Sequence, residues 1–106
     1  MSDNNPIIRC LDGFSMSVQA SRSHYCLPRQ DNAESYEEVE VGFPSQEEEL
    51  LTPWAELGAT NELDLPLTEQ VYPYIPVGVI ETIILKHGGI LEGKAPKGVD
   101  AVTAED

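Results

Sequence analysis

Hydrophobic and polar residues alternate near the start of the chain. The segment "PIIRCLDGFSMSVQAS", residues 6 to 21, holds Asp12-Gly13, a strong signal for a tight hairpin turn, because glycine adopts positive φ without strain. Pairing Leu11 with Phe14 across this turn collects the apolar positions on one face: Ile7, Leu11, Phe14, Met16, Val18 and Ala20. The pattern predicts a half-buried antiparallel pair, with Arg9 as a charged residue on the apolar face.

A second alternating segment, "YEEVEVGF" at residues 36 to 43, predicts a strand. Val39 and Val41 lie on one side of it, and Glu38 and Glu40 lie on the other. The segment "SQEEELL" follows at residues 45 to 51, with Ser45 as a helix N-cap and Glu48 three residues later at the capping-box position. We therefore expect a short helix directly after the strand.

The C-terminal half predicts an edge strand followed by a helix. "QVYPYIPV" contains Pro73 and Pro76, which cannot donate to a sheet ladder, so this strand belongs at an edge. "PVGVIETIILKHGG" then places an apolar stripe at helical spacing and ends at two glycines; the stripe consists of Ile80, Ile83, Ile84 and His87.

These elements predict an α+β fold, with a small, mostly antiparallel sheet of three to five strands and two helices. The C-terminal helix is expected to pack on the sheet. Residues 1–92 are predicted to form a single acidic domain. Residues 93–106 contain few large apolar side chains, and we expect a flexible tail there.

Charge changes the picture more than any motif does. The net charge is −13, and the interval between Arg29 and Lys86 contains no lysine or arginine. Thirteen acidic residues lie in that interval: Asp31, Glu34, Glu37, Glu38, Glu40, Glu47, Glu48, Glu49, Glu56, Glu62, Asp64, Glu69 and Glu81. Such a surface repels nucleic acid and anionic membranes and attracts basic protein surfaces. The alternative is that the acids serve only solubility.

The spacing of the acids on the second strand favours a basic partner. Side chains two residues apart on a strand lie about 6.6–6.8 Å apart on one face. Glu38 and Glu40 thus form a row of negative charge at an interval of the same order as consecutive DNA phosphates. A surface of this kind fits the lysine and arginine groove of a DNA-binding protein.

Candidate chemistry is sparse. Cys10, His24 and Cys26 offer metal-ligating side chains, but they lack the paired spacing of a zinc site, so no metal is expected. The N-terminus has no basic patch followed by an apolar run, which predicts a cytoplasmic location and free thiols. No catalytic residue and no cofactor are expected, although a small enzyme remains a third alternative.

Several pieces of the chain have a familiar composition. "DGFSMSVQAS", "YCLPR", "YEEVEVGFPS" and "VYPYIPVGVI" with "KHGGI" resemble small proteins of phages and mobile elements of proteobacteria, over residues 7 to 90. Acidic proteins of that size and origin include anti-CRISPR and other anti-restriction inhibitors, several of which block a DNA-binding groove. The resemblance implies an inhibitor and implies no catalytic residue.

Charge and resemblance together predict an anti-CRISPR-type inhibitor of a type I surveillance complex in the bacterial host. Its acidic surface would mimic DNA and occupy the basic DNA-binding surface of a Cas effector, without binding nucleic acid or membrane itself. The predicted partner-binding residues are Asp31, Glu34, Glu38, Glu40, Glu47, Glu48 and Glu49. The alternative is a non-inhibitory acidic interaction module, such as a phage accessory or antitoxin-like protein.

Overall fold

The protein forms one antiparallel sheet with an α-helix across one face. A computed structural model describes residues 5–56 and 65–104. The elements are β1 (Ile8–Cys10), β2 (Ser15–Gln19), β3 (Glu38–Gly42), β4 (Val71–Pro76), α1 (Val77–Lys86) and β5 (Ile90–Glu92). The strand order is β4-β3-β2-β1-β5, so the first four strands form a meander and β5 joins at the far edge. The predicted α+β class holds.

The β1–β2 hairpin forms as predicted, but its register is shifted by one residue. Ile8 lies opposite Met16, and the Cys10 N–H donates to the Phe14 carbonyl at 2.8 Å, so the loop has three residues and ends at Gly13 with φ 98°. The prediction that Leu11 pairs with Phe14 is therefore wrong. A one-residue slip reverses the faces of a strand. The buried face of β1 is Ile8 and Cys10, whereas Ile7, Arg9 and Leu11 are exposed.

Helix α1 carries the chain from one edge of the sheet to the other. It begins directly after β4, and its ten residues span a length of about 15 Å. The distance across the sheet from β4 to β5 is about 19 Å at the usual strand spacing, so the helix covers most of it. Ile80, Ile83 and Ile84 are fully buried, which confirms the predicted stripe. They complete a core with Ile8, Met16, Val18, Val39, Val41, Leu51, Tyr72 and Ile75. No helix of the described residues is long and apolar enough to span a membrane.

The predicted helix at residues 45 to 51 does not form. Ser45 is held by β2 instead of capping a helix, because its N–H donates to the Ser15 carbonyl at 2.8 Å and its Oγ accepts from the Ser15 N–H at 2.9 Å. The chain then makes a turn around Glu48 and enters a short 3-10 turn, Thr52–Trp54. In the described residues α1 is the one α-helix.

The segment after β5 packs against the rest of the protein, in contrast to the flexible tail expected over residues 93–106. The Ile90 N–H donates to the Val102 carbonyl at 3.0 Å, and the Ala104 N–H donates to the Ile90 carbonyl at 2.9 Å. A Cβ on Gly89 would lie 2.7 Å from the Ala104 nitrogen, so only glycine allows this approach. Small residues and main-chain hydrogen bonds hold the segment in place up to residue 104. A count of large apolar side chains detects neither of them.

Candidate partner-binding surface

The face of the sheet opposite α1 carries a loop that crosses β3 and reaches β4. The Leu27 N–H donates to the Glu38 carbonyl at 3.0 Å, and the Tyr25 N–H donates to Oε1 of Glu40 at 3.2 Å. The Tyr74 N–H in turn donates to the Tyr25 carbonyl at 3.0 Å. Three hydrogen bonds therefore fix the loop on the sheet. We call the resulting patch the tyrosine surface; it consists of Tyr25, Leu27, Glu38, Glu40 and Tyr74.

Two tyrosine rings dominate the tyrosine surface. Tyr25 and Tyr74 are each 41% exposed, and their ring centroids lie 5.9 Å apart. The guanidinium carbon of Arg29 lies 5.5 Å from the centroid of Tyr25, within the range of a cation–π contact. Tyr74 sits in an irregular part of the β3–β4 pairing and has φ 53°. Large exposed aromatic rings in a rigid setting are typical of protein-binding surfaces.

Glu38 and Glu40 lie on the face predicted for them, away from the buried Val39 and Val41. Both are half-buried rather than fully exposed, because the loop at Tyr25 covers part of this face. Glu40 also spends one carboxylate oxygen on the Tyr25 N–H. The pair is therefore less open than a bare row of charge on a strand.

The other predicted residues are divided between two more places. Asp31 lies in the loop before β3, where its Oδ2 is 3.5 Å from Nε of Arg22. Glu34 and Glu47 are exposed. Glu49 is exposed as well, and its Oε1 lies 3.8 Å from Nζ of Lys86. The structure thus places the predicted residues on three parts of the surface.

Glu48 does not belong to the surface at all, and its assignment to a partner-binding site is wrong. It is 3% exposed, and its two oxygens contact different side chains. Lys86 Nζ donates to Oε2 at 2.8 Å, and His87 Nε2 lies 2.6 Å from Oε1 in a hydrogen bond. The turn that replaces the predicted helix points this side chain inward instead of outward.

His87 joins Glu48 to the hairpin loop. Its Nδ1 is hydrogen-bonded to Oδ2 of Asp12 at 2.6 Å, and its ring stacks on Phe14 with centroids 4.2 Å apart and planes 12° from parallel. The ring is 5% exposed. We call this group the histidine cluster; it consists of Asp12, Glu48, Lys86 and His87.

Both carboxylates of the histidine cluster are held in their ionised form. Burial alone raises the pKa of Glu48, but hydrogen bonds from Lys86, the Leu50 N–H and His87 together leave it below its usual value. The pKa of Asp12 is lowered by the Phe14 N–H and then by His87. The two ring nitrogens of His87 each lie 2.6 Å from one of these carboxylates, so the ring bridges Asp12 and Glu48.

Both ring nitrogens of His87 are engaged by carboxylates, and the side chain is almost fully buried. Within residues 5–56 and 65–104, no three His, Cys, Asp or Glu side chains are grouped to hold a metal ion. The histidine cluster connects parts of the chain that are distant in sequence. It ties the hairpin loop, the turn at Glu48 and the C-terminal end of α1 together.

The cysteines predicted to be free are free and buried. Burial raises the pKa of Cys10 to about 11, and it also raises that of Cys26. The Cys26 thiol donates to the Ser21 carbonyl at 3.1 Å, and His24 Nδ1 lies 2.7 Å from Oγ of the same serine. The hydrogen-bond partners of Cys26 and His24 therefore lie within the same loop.

An apolar groove separates the 3-10 turn from α1. It has a volume of about 300 Å³ and is lined mainly by Leu50, Pro53, Trp54 and Val79. A polar hollow of about 130 Å³ lies elsewhere, among residues that include Asp31, Lys94 and Lys97. Neither contains a buried polar side chain without a hydrogen-bond partner, among the described residues.

Sequence reasoning missed the two tyrosines of the tyrosine surface. Tyr25 lies in the segment "RSHYCLPRQ", residues 22 to 30, which has no clear alternation, and Tyr74 lies in the predicted edge strand. The proline on each side of Tyr74 is a usable signal, because Pro73 and Pro76 disturb the pairing of β4 and allow a bulge.

Comparisons with protein-family models, curated proteins and solved structures find no match for this chain.

Proposed function

We propose that the protein is an inhibitor of a DNA-binding complex and that it acts by presenting acids to the basic surface that receives DNA. One observation carries the proposal. In the part of the interval between Arg29 and Lys86 that the structure describes, six glutamates are exposed: Glu34, Glu37, Glu47, Glu49, Glu56 and Glu69. Of these six, only Glu49 has a cation within 4 Å among the described residues, and that cation is already bound to Glu48. The charge is left for another molecule.

The mechanism is electrostatic and steric. A basic groove that binds DNA holds anions at its surface, and an acidic protein that docks there displaces them, as DNA does. Unpaired carboxylates also steer the encounter and raise the association rate at low salt. The resemblance to anti-CRISPR proteins makes a type I surveillance complex the first target to test.

The test is competition with DNA. Purified surveillance complex is mixed with labelled target duplex, and DNA binding is measured with and without the protein at 0.05 and 0.2 M NaCl. We expect the protein to prevent DNA binding, and its own affinity for the complex to fall steeply as salt rises. Unchanged DNA binding at saturating protein would overturn inhibition of this complex.

A charge-reversal pair shows whether the central acids are responsible. Glu34→Lys with Glu37→Lys reverses two exposed central charges, and Glu92→Lys with Asp100→Lys reverses two exposed charges outside the interval. We expect the first pair to weaken inhibition by about tenfold or more and the second by much less, because charged rim contacts act locally. Equal effects would mean that only the net charge matters.

The tyrosine surface favours a second candidate, a protein-binding module that does not compete with DNA. Glu38 and Glu40 are half-buried, and Glu48 is neutralised inside the fold, so fewer regular charges remain than a long DNA mimic offers. Aromatic rings beside acids suit recognition of a basic protein surface of any function. Capture of a partner whose DNA binding is unaffected would favour this candidate.

A further inference from the structure

We propose that the tyrosine surface is the anchor point for an arginine side chain of the basic partner. This inference rests on the proposed function, since it names the recognition element of that same acidic protein. It also goes further, because it distinguishes arginine from lysine, which net charge alone does not. Three observations carry it: the backbone strain at Tyr74, the rigid placement of Tyr25, and the charge around both rings.

Tyr74 adopts a backbone conformation that its own side chain disfavours. Its φ of 53° lies in the left-handed region, where a residue with a Cβ is strained and glycine or asparagine is usual. The ring is 41% exposed, so its burial offsets only part of this strain. Strained positions of this kind cluster at functional sites. Phe43 shares this conformation, so what distinguishes Tyr74 is its position beside the exposed ring of Tyr25.

Tyr25 is fixed before any partner arrives. Its N–H is bound to Glu40 and its carbonyl to the Tyr74 N–H, so both peptide groups of the residue are held to the sheet. The neighbouring Cys26 is fully buried and anchors the loop from below. Because little ordering is left to do, a bound side chain meets a preformed surface.

The charge around the rings selects a cation. Glu38 and Glu40 belong to the tyrosine surface, and Arg29 is placed over Tyr25 at 5.5 Å. Arg29 shows that this ring accepts a guanidinium of the same chain. The planar guanidinium stacks on aromatic rings and binds a carboxylate through two N–H groups, whereas a lysine ammonium is a compact, strongly hydrated charge. A surface of two tyrosines beside two glutamates therefore fits arginine better than lysine.

The experiment uses two peptides of equal length and charge, nona-arginine and nona-lysine, titrated into the full chain by calorimetry. Wild-type protein is expected to bind nona-arginine about three- to tenfold more tightly than nona-lysine, the size of one or two cation–π contacts. Tyr74→Asn should remove most of that preference and leave lysine binding unchanged. Because asparagine tolerates positive φ, this variant should melt no lower than wild type.

Phe43 supplies the matched control. It also has a positive φ, 50°, and is 61% exposed, but it lies at the other end of β3, next to Gln70. Phe43→Asn should relieve the same strain and leave the arginine preference intact. Equal binding of both peptides to wild type, or an unchanged preference in Tyr74→Asn, would overturn the anchor. Loss of DNA competition with the preference intact would instead overturn only the proposed inhibition.

Discussion

The histidine cluster and the tyrosine surface use glutamates in opposite ways. Glu48 uses both of its oxygens in hydrogen bonds to Lys86 and His87 of its own chain and is closed to solvent. Glu40 gives one oxygen to a main-chain N–H and keeps the rest of its carboxylate on the outer face. The difference shows that an acidic sequence run is not one functional unit. Glu48 links distant parts of the fold, whereas Glu40 keeps part of its carboxylate at the surface.

The largest expected effect comes from breaking the histidine cluster. Glu48→Gln disturbs the buried hydrogen bonds to Lys86 and His87, and a disturbed buried hydrogen-bond network costs about 1–3 kcal/mol of unfolding free energy. Urea unfolding monitored by circular dichroism measures the loss. Glu47→Gln is the control, because that side chain is exposed and should change stability by about 0.5 kcal/mol at most. Similar midpoints for the two variants would contradict a structural role of Glu48.

Acidification is expected to affect the histidine cluster and the exposed acids at different pH values. The lowered pKa values of Asp12 and Glu48 contribute stability above the ordinary carboxyl value of about 4, and this stability is lost as the pH falls through the lower folded-state values. Mild acidification also makes the net charge of −13 less negative, which reduces repulsion across the molecule. We expect the melting temperature to rise slightly from pH 7 to 5 and to fall below about pH 4.

The Glu48→Gln protein sharpens this test. It should keep the rise toward pH 5, which depends on the open acids, and lose part of the fall below pH 4. A wild-type melting temperature that falls steadily as the pH is lowered from 7 would contradict this expectation. It would show that the loss of paired carboxylates outweighs the relief of charge repulsion over the whole pH range.

Salt is expected to have the smallest effect and to act on the open acids alone. Raising NaCl from 0.01 to 0.15 M shortens the Debye length from about 30 to about 8 Å and screens charges at the surface far more than buried pairs. The melting temperature should therefore rise by a few degrees. A flat or falling response would mean that the exposed glutamates are locally paired, and it would remove the repulsion on which the comparison depends.

Local patterns predicted β1 to β4 and α1, because alternation and helical spacing report burial directly, but they did not predict β5. The α1 stripe at Ile80, Ile83 and Ile84 is an example. The hairpin register was missed because Asp12-Gly13 fits a two-residue and a three-residue loop equally well, and only the choice of buried face separates them. The observed register places the charged Arg9 side chain in solvent, whereas the predicted register places it on the apolar face. The charge of Arg9 was therefore a signal for the observed register.

Local sequence patterns do not predict where the side chain of Glu48 lies. Ser45 and Glu48 carry a real capping-box signal, but contacts with β2 and with the end of α1 outweigh it. Those partners lie far away in sequence, so no window around residue 48 contains them. Sequence predicted the acidic character of the candidate surface, and only the fold shows which acids stay open and that two tyrosines stand among them.

The burial of both thiols has a practical consequence for measurements on this protein. Cys10 and Cys26 are fully enclosed, so a maleimide reagent can reach them only when the sheet opens. The rate of labelling therefore reports how often the native protein opens, without any added probe. The same property leaves the surface free of reactive sulfur. A single cysteine introduced at an exposed site such as residue 34 would take a fluorophore selectively, next to the acids whose binding is to be followed.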